Sequence, residues 1–130
     1  MKYGSLIVEK RELGKLRRLL MQTENKADSI YSASVAKLST ELRAANMVDE
    51  ADMPAEVVRL NSIVTINTAG NKDKTFQIVL PEHSDLAENK LSILAPMGLA
   101  LFGYAQNDQI SWEFPSGVNK IKILKVQQPV

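Results

Sequence analysis

Leu91-Ser92-Ile93-Leu94-Ala95-Pro96-Met97-Gly98-Leu99-Ala100-Leu101-Phe102-Gly103 runs on through Tyr104-Ala105-Gln106-Asn107-Asp108 into Gln109-Ile110-Ser111-Trp112-Glu113-Phe114-Pro115-Ser116-Gly117. An apolar strand at 91–94 meets a Pro-Met-Gly turn, and one short amphipathic helix near Met97–Leu101 is closed by Gly103. Pro96 pre-sets φ where a helix starts and its missing N–H costs nothing. Gly98 and Gly103 supply unusual backbone angles or close packing, and Gly117 supplies φ > 0 in a hairpin. After the Asn107-Asp108 turn, Ile110, Trp112 and Phe114 alternate with Ser111 and Glu113, so strand 109–114 has one buried and one wet face.

Working outward, residues 119–126 read as a last strand. Strict alternation puts Ile121, Ile123 and Lys125 on one face and Lys120, Lys122 and Leu124 on the other. Upstream, Ile63-Val64-Thr65-Ile66 and the run Thr75–Leu80 flank Ala69-Gly70-Asn71-Lys72-Asp73, the pattern of a β-hairpin. Asp49-Glu50-Ala51-Asp52-Met53-Pro54 is an acidic connector ending in a helix breaker. Before it the period becomes helical. Leu13, Leu16 and Leu20 form one stripe, and Ile30 or Tyr31, Val35, Leu38, Leu42 and Ala45 form another. The polar link Gln22–Asp28 between them predicts an antiparallel helical hairpin, with helices of about 14 and 19 residues projecting only ~20–30 Å. The fold class is α+β: a short N-terminal helical hairpin (coiled coil) over 1–48, a linker at 49–54, and a mostly antiparallel sheet with one short helix over 55–130.

The order of these motifs resembles the Gre transcription-factor family. Ser92, Ala95-Pro96-Met97-Gly98, the helix Leu99–Gly103, Asp108 and Pro115-Ser116-Gly117 match its C-terminal domain. Upstream, Glu41-Leu42-Arg43-Ala44-Ala45, Met53-Pro54 and Val57-Val58-Arg59-Leu60-Asn61-Ser62 are more similar to the Rnk branch. The resemblance covers about two-thirds of the chain, residues 38–127. It implies an FKBP-like sheet domain and one partner, bacterial RNA polymerase, engaged at its secondary channel. It also implies docking positions at Pro96, Met97, Gly98, Asp108, Pro115, Ser116 and Gly117. Family members with long prongs carry tip carboxylates that help hold a magnesium ion and a water that cleaves backtracked RNA. Rnk resembles them in fold but has a short prong and is taken to bind without stimulating cleavage.

Here the tip holds Glu24, Asn25, Lys26 and Asp28. Mg²⁺ prefers oxygen ligands, so Glu24 and Asp28 are the residues that a cleavage role requires. A polar loop and a helix-capping Asp28 explain the same acids, and Lys26 dilutes them. The tip is therefore read as a partner contact, with no catalytic residue, metal or cofactor of its own. Transcript cleavage is the rival.

Other candidates have ordinary explanations. Arg11, Lys15 and Arg18, with Arg17, share a helix face that Glu9 and Glu12 are expected to balance. His83 stands in Pro81-Glu82-His83-Ser84-Asp85, but working Ser-His-Asp triads are assembled from separate elements. Phe76, Tyr104, Trp112 and Phe114 suggest a prolyl-isomerase pocket, yet so few aromatic residues are needed by the core.

Composition narrows the rest. A chain of 130 residues with 45% hydrophobic and 24% charged side chains supports one domain or a small domain with an appendage. The net charge is +1, with nine basic and eight acidic residues before position 53 and seven of each after it. No global field draws the chain to a membrane, and direct nucleic-acid binding is not expected. With no cysteine there is no disulfide or thiolate chemistry, which suits a reducing compartment. The apolar run Leu6-Ile7-Val8 is too short for a signal peptide or span, so a cytoplasmic location is expected.

Overall fold

The structure is a computed structural model and describes residues 4–23, 29–68, 73–114 and 117–129. The chain runs β1 (Ile7–Glu9), α1 (Lys10–Thr23), α2 (Ser29–Arg43), β2 (Asn46–Val48), β3 (Ile63–Thr68), β4 (Lys74–Val79), β5 (Lys90–Ser92), α3 (Pro96–Leu101), β6 (Gln109–Phe114) and β7 (Gly117–Gln127). One-turn 3₁₀ segments stand at Glu50–Asp52, Pro81–His83 and Leu86–Glu88. Among the described residues no helix is long and apolar enough to cross a membrane.

The sheet has the order β5-β4-β3-β7-β6. The β3–β4, β3–β7 and β6–β7 pairs are antiparallel, and β5 joins β4 in parallel. Val64, Ile66, Ile78, Ile110, Trp112, Ile121 and Ile123 point to one side. There they meet Leu99 and Leu101 of α3, Leu13, Leu16 and Leu20 of α1, and Val35, Leu38 and Leu42 of α2. One apolar cluster therefore runs from the helices into the sheet. Burying a leucine side chain contributes about 2 kcal/mol, so the helical stripes are held mainly by this core. Alone, helices of 14 and 15 residues are marginal in water.

Two features depart from the sequence reading. Leu6-Ile7-Val8 is structural: β1 pairs in parallel with β2, Ile7 opposite Asn46 and Glu9 opposite Val48. This ties the start of α1 to the end of α2. Ile7 turns away from the main core to pack with Val57 and Ala105, flanked by Val48 and Met53. The second departure is on β7. The register shifts between Thr65 and Ile66, so Lys125 pairs with Thr65 and Ile123 with Ile66. The extra residue, Leu124, makes a bulge that breaks the period of two. Val126 is consequently buried in place of Lys125, which is exposed.

Polar side chains close the seams. The Ser62 hydroxyl accepts from the Arg59 N–H at 2.8 Å and donates to Gln128 Oε1 at 2.8 Å. The Gln128 amide then donates to the carbonyls of Ala55 and Val57. Segment 55–62 is thereby fastened to the end of β7.

Candidate functional site

Helix α1 begins on a carboxylate. Glu9 Oε2 accepts from the N–H groups of Arg11 at 2.7 Å and Glu12 at 3.0 Å, satisfying donors that the first helical turn leaves free. Glu12, one turn on, faces the sheet domain. Its Oε2 accepts from Arg59 Nε at 2.9 Å and from Arg59 Nη2, and its Oε1 accepts from Leu60 N–H at 3.2 Å. The same guanidinium reaches Glu50 through Nη1 at 3.2 Å and Nη2 at 2.5 Å. Planar Arg suits such a fork. Arg59 joins α1, the connector and segment 55–62 in one clasp, with only 16% of its side chain exposed. Its hydrogen bond to Glu50 is the main reason its proton is held even more tightly than usual. That bond also holds the Glu50 carboxyl below its ordinary range.

Glu9, Glu12 and Glu50 bring one oxygen each within 4.8 Å of the others. This is the acidic grouping that a cation would seek, but the Arg59 guanidinium already supplies the positive charge. Sequence reasoning overlooked this clasp. A signal was present, since Glu9 and Glu12 share the face of Leu13, Leu16 and Leu20 at spacings of three and four.

The inward turn of both acids changes the outer face of α1. Arg11, Lys15, Arg17 and Arg18 are exposed, and the neighbours expected to balance them are engaged elsewhere. A groove of about 200 Å³ beside them is lined by Arg17, Leu20, Met21, Ser39, Leu42 and Arg43. The tip residues Glu24, Asn25, Lys26 and Asp28 lie outside the described residues.

At the other end, α3 starts at Pro96, with Ala95 extended and its carbonyl accepting from Leu99 N–H at 2.9 Å. Pro96 and Met97 are half-buried and Gly98 is buried. A Cβ on Gly98 would stand 2.5 Å from the Ser92 carbonyl oxygen and 2.9 Å from Ile93 Cα, so glycine is required for close packing. Gly103, at φ 82°, lies under Leu6. Asp108 is buried: its Oδ2 accepts from Ala105 N–H at 2.8 Å, closing the turn in which Asn107 has φ 75°. Gly98 and Asp108 thus serve the fold from inside and offer no side chain to a docking partner. Gly117 is exposed, whereas Pro115 and Ser116 lie outside the described residues.

Three of the four aromatic candidates have structural roles, and the side chain of Phe114 lies outside what the structure describes. The buried Tyr104 hydroxyl donates to the Glu41 carboxylate at 3.1–3.2 Å. Burial first, then the Glu41 charge and this bond, push its ionisation far above the ordinary phenol range. Trp112 is buried beneath Lys37, whose ammonium stands 4.3 Å from the ring centroid and donates to the Ser111 carbonyl at 3.3 Å. Phe76 packs on the core edge. His83 ends an exposed turn, and Asp85 accepts from Ala87 N–H as the cap of the next one. No Ser-His-Asp arrangement forms there.

Residues 53–128 match the family model described as "Transcription elongation factor, GreA/GreB, C-term". The chain is 33% identical over 106 residues to "Transcription elongation factor GreA" of Clostridium acetobutylicum, covering 80% of this chain and 67% of that protein. It is 34% identical over 92 residues to "Regulator of nucleoside diphosphate kinase" of Escherichia coli K12, covering 69% of this chain and 68% of that one. It spans 58 to 67% of the length of the GreA relatives it matches. Among solved structures, "Prokaryotic transcription elongation factor GreA/GreB from Nitrosomonas europaea" superposes with a TM-score of 0.75 at 31% identity, covering 95% of this chain and 99% of that one.

Proposed function

The chain belongs to the GreA/GreB family of transcription elongation factors, and from that premise we propose that it is a non-catalytic regulator of bacterial RNA polymerase. It occupies the secondary channel and competes there with longer factors of its own family. The observation that carries this reading is the length of the helical part. Helices of 14 and 15 residues extend only about 20 Å at 1.5 Å per residue. A short antiparallel hairpin on an FKBP-like domain blocks and modulates, with no cofactor and no chemistry of its own. The acids at the root of α1 support this, since Glu9, Glu12 and Glu50 are committed to a helix cap and to Arg59.

The division at 49–54 leaves the two parts coupled, because the Arg59 clasp and the Tyr104–Glu41 bond span it. Docking at the channel rim uses Pro96, Met97 and the hairpin at 115–117, with Glu24, Asn25, Lys26 and Asp28 at the leading tip. Such a factor works in the cytoplasm and beside no membrane.

Purified RNA polymerase is expected to retain the protein, and added GreA to displace it. Failure to bind, or binding unaffected by GreA, overturns the channel reading. In backtracked complexes the protein is expected to leave the RNA length unchanged. Robust shortening that disappears in the Glu24→Ala/Asp28→Ala variant establishes cleavage instead.

A further inference from the structure

The solvent face of the sheet lies outside both the core and the positions proposed for polymerase docking. Along β7 the inward residues Ile121, Ile123 and Val126 are buried, and Lys120, Lys122 and Lys125 are exposed. The bulge at Leu124 is what keeps all three lysines together: a step of three residues returns Lys125 to the outer side, opposite Thr65. Ser111 stands opposite Lys120, and Gln109 and Asn67 flank Lys122. None of the three lysines has an ion pair among the described side chains. The nearby acids are Asp73, which holds the Asn67 amide at 2.9 Å, and Glu113, opposite Val118 at the far end of β6. Asn67, Gln109, Ser111, Lys120 and Lys122 line an open groove of about 430 Å³.

We propose that this face binds the phosphate backbone of a nucleic-acid duplex without reading its sequence. Lys120 and Lys122 sit about 7 Å apart along the strand, against a polyanion that carries one charge per ~3.4 Å of each strand, so neighbouring lysines reach different phosphates. Asn, Gln, Ser and Thr donors beside lysine are the usual makers of phosphate contacts. The chemistry selects against a protein partner, because protein interfaces have apolar, aromatic centres depleted of lysine, whereas nucleic-acid interfaces are polar and strongly positive. It also selects against a single strand: among the described residues Trp112 faces inward, and this face presents no aromatic platform on which bases could stack. The near-zero net charge of the whole chain does not oppose the proposal, since local distribution sets the field at a surface. The proposal is independent of polymerase binding.

The test is fluorescence anisotropy with a labelled DNA duplex of about 20 base pairs and arbitrary sequence, titrated between 50 and 200 mM salt. Three phosphate contacts give a slope of about −2.7 in log affinity against log salt, a loss of about 40-fold over that range. The variant Lys120→Gln/Lys122→Gln/Lys125→Gln is expected to flatten the parent slope by that amount. The corresponding Lys→Arg variant should retain it, and both should keep the parent melting midpoint. The proposal is overturned if the triple Gln variant binds the duplex like the parent, or if Arg11→Gln/Lys15→Gln/Arg17→Gln/Arg18→Gln alone removes the whole salt dependence. Poly-glutamate binding as tightly as the duplex, with the same dependence on the three lysines, assigns the face to an acidic protein and equally overturns it.

Discussion

The fold is fastened at two joints built on different physics. At α3 the joint is steric. Gly98 lets the helix lie against Ser92 and Ile93, and Gly103 lets Leu6 lie against the helix end. At Arg59 the joint is ionic, a guanidinium shared by Glu12 and Glu50. At Gly98 the steric joint has backbone on both sides, so nothing there can yield. The ionic joint borders on solvent at Glu50, whose side chain is 70% exposed, so its strength depends on what the solvent does. One joint sets the architecture, and the other can be tuned.

The hardest way to break that contrast is Gly98→Ala. The added methyl meets the Ser92 carbonyl at 2.5 Å, and overpacking against main chain is expected to cost about 3 kcal/mol, read from urea denaturation. Arg59→Ala should cost less, about 2 kcal/mol, chiefly because it leaves Glu12 half-buried without its charge partner. Removing both charges in Arg59→Met/Glu12→Leu should recover most of that loss, which a double-mutant cycle measures. If Arg59→Ala proves as damaging as Gly98→Ala, the ionic joint is architectural too and the distinction fails. Tyr104→Phe sharpens the contrast from the side of α2. It removes the bond to Glu41, and a net loss of about 1 kcal/mol is expected in the same measurement.

The steric joint was legible in the sequence and the ionic one was not, for a physical reason. Pro96, Gly98 and Gly103 announce backbone constraints through residue type alone, and the periods of two and 3.6 separate sheet from helices. Arg59 looks like any exposed arginine until the fold brings it to Glu12, 47 residues earlier. The β1–β2 pair escaped because three-residue strands are shorter than any periodic window and their parallel pairing is non-local. Alternation alone puts Lys125 on the face of Ile121 and Ile123, because an alternating pattern carries no mark of a bulge. Burial of Asp108 was likewise hidden: a turn-closing carboxylate and a docking carboxylate have the same sequence signature. Of the other positions expected to dock, Pro96 and Met97 are half-buried and Gly117 is exposed.

The gentlest probe of the ionic joint is acid. Glu50 is held below its ordinary value of 4.5 by the Arg59 hydrogen bond, with the charges of Arg59 and Arg11 adding to it and burial opposing. A carboxylate whose folded pKa is depressed stabilises the fold fully above its unfolded pKa, and that contribution fades as the pH falls through the folded value. The parent should therefore melt above Glu50→Gln near neutral pH, and the gap should close as the pH drops below 4.5. High salt should narrow the gap at neutral pH as well, because an exposed ion pair is screened. The steric joint predicts neither effect: Gly98→Ala should lie below the parent by the same margin across the same titration. A gap for Glu50→Gln that persists in acid would place Glu50 in the steric class, held by packing and not by charge.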